Sequence, residues 1–291
     1  MLRLTSTEPT RRRDEPARQS RAALWKGDRI SSTLISVISF LRCLPLFFSA
    51  RPKTPLRVLC VMTFDMLHML RRSKPLPAAK RRMMAALLDF GACMNAMFDN
   101  KDYCRKDLRL TRRILAEAGL NSFVEEFLRR LWELERRRPL PLDDDWQFHK
   151  IRSYREAVIR LSLGMIAATA RDAQSIDEGI RATYCDDDLK ILFRIAMQCQ
   201  IVDDVLDYSK DMSAGLPSFL TASESLAEAI KLTNQAAFGY ADHRDLPRSD
   251  DVFPLRMALF IASACAKVTT QVSRWRFRDA ANVYQRRSAP L

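Results

Sequence analysis

Gln198-Cys-Gln-Ile-Val-Asp-Asp-Val-Leu-Asp-Tyr-Ser-Lys-Asp211, continued by Met-Ser-Ala-Gly-Leu-Pro-Ser-Phe-Leu220, decides how this chain is read. Ile201, Val202, Val205 and Leu206 recur at helical spacing, and the acids fall on the other arc. On a wheel of about 100° per residue, Gln200, Asp204, Asp207 and Asp211 all lie within about 100° of Asp203. The spacing predicts a single helix, packed on one side and acidic on the other. Carboxylates at i, i+4 repel, so a solvated face interleaves Lys or Arg among them. Here Lys210 projects off the strip. Carboxylates converging without a cation suit a hard divalent ion, and Mg²⁺ held through one or two carboxylates plus phosphate oxygens fits best.

A metal of that kind, gripping a phosphorylated ligand, needs a second set of donors. Leu88-Asp-Phe-Gly-Ala-Cys-Met-Asn-Ala-Met-Phe-Asp-Asn-Lys-Asp102 supplies Asn95, Asp99 and Asp102 at i, i+4 and i+7, on one helical face. Gly91 and Ala92 leave room beside them. An ordinary helix end with exposed acids remains the competing reading.

Outward from these segments, the 291-residue chain has only 7 glycines, too few for the turns of a sheet-rich fold. An all-α fold is predicted. The formal charge of +13 implies an anionic partner, but no basic stripe interleaved with aromatics and no zinc-finger signature occurs, which argues against nucleic acid. Seven cysteines without a C-x-x-C pair suggest a reducing compartment and a cytoplasmic protein. The three histidines, on separate segments, support neither a zinc site nor a Ser/His/Asp arrangement.

Residues 1–29 read as a disordered basic leader. Residues 30–54 are an apolar segment in which Arg42 and Pro45 interrupt the run, so a first helix or a membrane-surface anchor is expected rather than a span. From 55 to 287 helix follows helix, with breaks expected at Ser73–Pro77, Gly119, Pro139–Asp145, Asp172–Asp177 and Gly215–Pro217. Asp143-Asp144-Asp145 and Asp186-Asp187-Asp188 each stand before a helical run and read as caps. Tyr154 and Arg155 open another helix, and Arg112 and Arg113 follow the earlier acidic strip; guanidinium forks suit phosphate oxygens, while surface ion pairs would use them equally well.

Gln200-Ile-Val-Asp-Asp-Val-Leu-Asp-Tyr-Ser-Lys-Asp211 resembles the second aspartate-rich motif of trans-polyprenyl diphosphate synthases. Asp207-Tyr-Ser-Lys-Asp211 with Gly215-Leu-Pro217 is similar to the second motif of squalene and phytoene synthases. Both are class I isoprenoid synthases, and the Asp203, Asp207, Asp211 spacing also parallels the metal triad of terpene cyclases. The resemblance implies a single-domain antiparallel helical bundle with a central cavity. It implies Mg²⁺ held by Asp99 and Asp102 on one side and Asp203, Asp204, Asp207 and Asp211 on the other, with Asp99, Asp203 and Asp207 catalytic. A prenyl diphosphate would be contacted by Asn95, Arg112, Arg113, Tyr154, Arg155, Gln200 and Tyr208, and walled by Phe90, Met94, Met97, Phe98, Leu161 and Met165. The implied reaction is ionisation of an allylic diphosphate and condensation with a second isoprenoid. Cyclisation of one substrate is the alternative within the fold. The earlier strip departs from the family, offering Asp99-Asn-Lys-Asp102 where D-D-x-x-D is usual, which leaves open a degenerate helical scaffold. Peripheral membrane association and a homodimer are both compatible with this reading.

Overall fold

Helices form wherever apolar residues recur at three- and four-residue spacing, and they stop at residues that cannot continue them. A computed structural model describes residues 34, 35, 37–39, 41–43, 55–99, 105–139, 148–223, 225–242 and 253–277. The named helices are α1 (Pro55–Arg72), α2 (Ala78–Phe98), α3 (Arg105–Glu117), α4 (Asn121–Arg136), α5 (Phe148–Arg171), α6 (Ile176–Cys185), α7 (Asp187–Leu206), α8 (Tyr208–Ala214), α9 (Leu226–Ala241) and α10 (Phe253–Arg276). No strand occurs among the described residues, so the all-α expectation holds.

The breaks follow the expected chemistry. Gly119 and Gly215 take φ of 73° and 64°, left-handed values at which a side chain is strained. After Gly215 the Leu216 N–H returns to the Asp211 carbonyl at 2.9 Å, closing α8. Ser73 to Pro77 separates α1 from α2, and buried Asp65 pins that turn by accepting the Leu76 N–H at 2.8 Å. Asp186 caps α7 as expected, accepting the Leu189 N–H at 3.0 Å. Ser175 and Ser225 cap α6 and α9 in the same way. The Asp143–Asp145 triplet and the basic leader lie outside the described residues.

Residues described between 34 and 43 are helical, and Arg42 ties them to the body by donating to Asp65 at 3.2 Å and to the Leu76 carbonyl at 3.0 Å. Among the described residues no helix is long and apolar enough to cross a membrane.

α5 is the central element: nearly every residue from Leu161 to Ala170 is buried. Leu163, Ile166 and Ala167 join one core with α1, α7, α9 and α10, while Leu161 and Met165 join a second with α2, α3 and α4. A helix apolar all round is a helix buried all round. α6 lies so close to α5 that a Cβ on Gly179 would stand 1.9 Å from the Gly164 carbonyl oxygen. Phe90, Met94, Leu161 and Met165, expected to wall a ligand cavity, pack instead with Phe127 and Leu131 in the second core. Phe98 leans on Trp132, and Met97 is partly exposed.

Candidate functional site

The aspartate-rich segment folds differently from its sequence expectation. α7 stops at Leu206, Asp207 takes φ −91° and ψ 5°, and α8 begins at Tyr208. Asp207 donates its N–H to the Asp203 carbonyl at 2.9 Å, and its own carbonyl accepts from both Lys210 and Asp211. Asp203 and Asp204 therefore belong to one helix, Asp207 to the junction and Asp211 to the next helix. The uniform acidic strip is corrected to a split set: Asp203 is exposed, Asp207 half-buried, and Asp204 and Asp211 buried.

Asp204 is committed to structure. Its Oδ1 accepts from Arg155 Nη2 at 3.0 Å and Gln200 Nε2 at 2.6 Å, and its Oδ2 accepts the Phe219 N–H at 2.8 Å. Burial pushes its carboxyl above the ordinary aspartate range, against the pull of Arg155, the Phe219 N–H and Gln200. Arg155 Nη2 also donates to the Pro217 carbonyl at 2.8 Å. The segment Leu216 to Ala222 is wholly buried, with Phe219 tilted onto Phe148 at 5.6 Å. Asp204 and Arg155 together are what hold that loop inside the protein. Its sequence, Gly-Leu-Pro-Ser-Phe-Leu, gave an apolar signal but nothing to pair it with an acid fifteen residues earlier.

Arg155 joins the two acidic segments. Burial works against its charge, and Asp204, Tyr154, Asp211 and Asp99 outweigh burial, raising its affinity for the proton. Acids from α7, α8 and the end of α2 therefore lie within electrostatic reach of one guanidinium. Its Nε is buried and has no hydrogen-bond partner among the described residues. An unsatisfied buried guanidinium N–H is costly.

On the earlier side, Asp99 ends α2. Its Oδ2 accepts from Asn95 Nδ2 at 3.2 Å and its Oδ1 from Arg138 Nη1 at 3.1 Å. Arg138 also reaches Glu135 at 3.4 Å, and Glu135 accepts the Tyr154 hydroxyl at 2.7 Å. Burial, with that bond, pushes the Tyr154 phenol up. Arg138 and Glu135 are therefore members that the sequence reading missed. Arg138 hides in the run Arg136-Arg137-Arg138, which looks like a solvated helix end, and the only hint is its i, i+3 spacing from Glu135.

Asp102 lies outside the described residues. Tyr208 packs edge-on against Phe277 at 4.8 Å, a packing role. Arg112 and Arg113 are exposed on α3. A cleft of about 370 Å³ opens elsewhere, between α1, the end of α5 and the start of α7, lined by Phe64, Arg71, Arg171 and Asp188. Two of its cations are engaged, Arg71 gripping Asp188 at 2.7 and 2.9 Å and Arg171 meeting Asp186 at 2.7 Å, and Arg72 also lines it.

Among the described residues no group of three or more acids, histidines or cysteines converges on one point. Mg²⁺ of the substrate-bridging kind needs only one or two carboxylates, the rest of its octahedron being water and phosphate oxygens. Asp203 is exposed, and among the described residues Asp207 meets the 75% exposed Lys210 at 2.6 Å, a pair that water and salt weaken. Those two acids fit the ion; Asp204, with both oxygens engaged, does not. No family model, curated protein or solved structure matches this chain.

Proposed function

We propose that this chain is a magnesium-dependent prenyltransferase of the class I isoprenoid synthase type, which binds a prenyl diphosphate beside Arg155 and condenses its allylic portion with a second isoprenoid. The observation that carries the reading is Arg155 itself, bonded to Asp204, within electrostatic reach of Asp99 and Asp211, and left with a buried Nε–H that has no hydrogen-bond partner among the described residues. A diphosphate oxygen is the acceptor that satisfies it, and the spacing of Asp203, Asp207 and Asp211 resembles that of the diphosphate-binding families.

In this proposal Asp203 and Asp207 would hold Mg²⁺, and Asp99, at the end of α2 and within electrostatic reach of the same Arg155, would be the donor from the earlier segment. Bound there, the ion supplies positive charge against a departing diphosphate. Arg155 orients the phosphate through its Nε–H, and its own position is fixed by Asp204 and the Pro217 carbonyl. Arg138 holds Asp99 in place, and the buried 216–222 loop excludes water from the inner side of the guanidinium.

Purified protein given farnesyl or geranylgeranyl diphosphate, with and without isopentenyl diphosphate, tests the reading. Magnesium-dependent diphosphate release that disappears in Asp203→Ala with Asp207→Ala supports it, and equal release by the variant rejects it. One observation favours a second reading. Arg155 on Asp204, Lys210 on Asp207 and Arg138 on Asp99 each set a cation on an acid of the two segments, as in a helical binding protein that has kept the architecture without the chemistry. Such a protein shows no product with any prenyl diphosphate.

A further inference from the structure

α10 carries an apolar face that no other described residue covers. Met257, Phe260, Ile261, Val268 and Val272 are 44%, 66%, 54%, 57% and 55% exposed, and Ala264 and Cys265 between them are exposed as well. On a wheel of about 100° per residue all of them fall within an arc of roughly 140°. The opposite face, with Leu255, Leu259, Ala266, Thr270 and Ser273, is buried. The helix thus has two apolar sides, one packed on the core and one turned outward. Phe238 of α9, 74% exposed, lies at the same level, because the Gln198 amide reaches both the Ala237 carbonyl and the Ser263 hydroxyl.

Charge identifies the occupant. In sequence α10 contains Arg256, Lys267, Arg274 and Arg276 and no acidic residue. Arg256 and Lys267 sit within about 20° of each other along one border of the apolar face. A second copy of the chain would set this wholly basic helix against itself, in a protein of net charge +13. An amphipathic surface with aromatic and aliphatic residues inside a basic border instead complements an anionic bilayer.

We propose that α10, with Phe238, is the face by which this protein docks on an anionic lipid surface. The helix lies in the interfacial plane, Phe260 and Ile261 entering the acyl boundary while Lys267 stays among the headgroups. The proposal is independent of whether the aspartates turn over a substrate.

The full chain is tested by flotation with phosphatidylcholine vesicles, with and without phosphatidylserine. The unaltered protein floats with phosphatidylserine vesicles and less so as salt rises. Phe260→Ser with Ile261→Ser lowers the partition coefficient about tenfold or more, at roughly 1.4 kcal/mol per decade. Lys267→Gln lowers it about fivefold, the equivalent of roughly 1 kcal/mol for one surface cation. All three altered positions are exposed, and unchanged circular dichroism melts confirm that the variants fold. Equal flotation of the double variant and the unaltered chain overturns the proposal and assigns any lipid binding to another basic segment. A lipid-free dimer dissolved by the double substitution, with no flotation of either protein, overturns it in favour of self-association.

Discussion

Replacing Asp204 with alanine tests the physical core of the candidate site, because this one carboxylate holds together three segments. It accepts from Arg155, Gln200 and the Phe219 N–H, and is 1% exposed. Its loss leaves the Arg155 guanidinium facing a void, and breaking a buried pair from one side costs about 3–5 kcal/mol. It also strands the Phe219 N–H inside the protein, a further 1–3 kcal/mol or so that water entering the gap partly offsets. The expected loss is about 4 kcal/mol, seen as a fall in melting temperature of roughly 8–16 °C for a domain of this size. Asp204→Asn keeps an oxygen for the Phe219 N–H and costs about half as much. Because burial raises this carboxyl above its usual value of 3.8, the folded state holds the proton more tightly than the unfolded chain does. Its contribution is full below that value and declines as pH rises through the raised one, and the Asn variant removes that slope. Urea unfolding monitored by circular dichroism across pH measures all three. A loss below about 1 kcal/mol for Asp204→Ala would refute the argument that this acid anchors the 216–222 loop.

Gly179→Ala sets a methyl 1.9 Å from the backbone oxygen of Gly164, an atom that cannot swing aside, so α5 and α6 must separate. The cost is about 3 kcal/mol, at the upper end for overpacking, and thermal unfolding checks it. Glu126 is lowered from 4.5 to about 2 by hydrogen bonds from Arg129 and Arg130. Its small, screened contribution is present above the ordinary glutamate value and lost as pH falls toward 2, so Glu126→Gln flattens the acid limb of the stability curve. Lys210→Met removes a solvent-exposed cation from Asp207. The melting temperature stays where it is while the joint stabilisation by Mg²⁺ and pyrophosphate grows, as read by differential scanning fluorimetry.

Much of the fold was legible because helix ends announce themselves locally. Gly119, Gly215, Ser175 and Asp186 end or begin helices through backbone conformation or a side-chain bond three residues on, which short sequence patterns encode. The break at Asp207 was not legible: no Gly or Pro stands there, and the Asp203 carbonyl still receives its hydrogen bond. All four aspartates on the expected wheel were read as metal ligands, but the wheel could not tell Asp204, which accepts from Arg155 and the Phe219 N–H, from Asp203, which is exposed. That division depends on a loop fifteen residues away and a helix about fifty residues earlier. Arg155 was expected to open a helix, whereas α5 already begins at Phe148; its place between acids from three segments is a property of the packing alone. Phe90 and Met165, expected to wall a cavity, show the limit from the other side, since the same apolar spacing that lines a pocket also fills a core.

Differential scanning fluorimetry with Mg²⁺ and pyrophosphate, singly and together, addresses the shared site most directly. A ligand held only by the folded state stabilises it by about 2.7 kcal/mol at a hundred times its dissociation constant, or roughly 5–10 °C here. The account predicts that rise with both present, little with either alone, and none in Asp203→Ala with Asp207→Ala. No joint rise in the unaltered protein, or an undiminished rise in the variant, would contradict it.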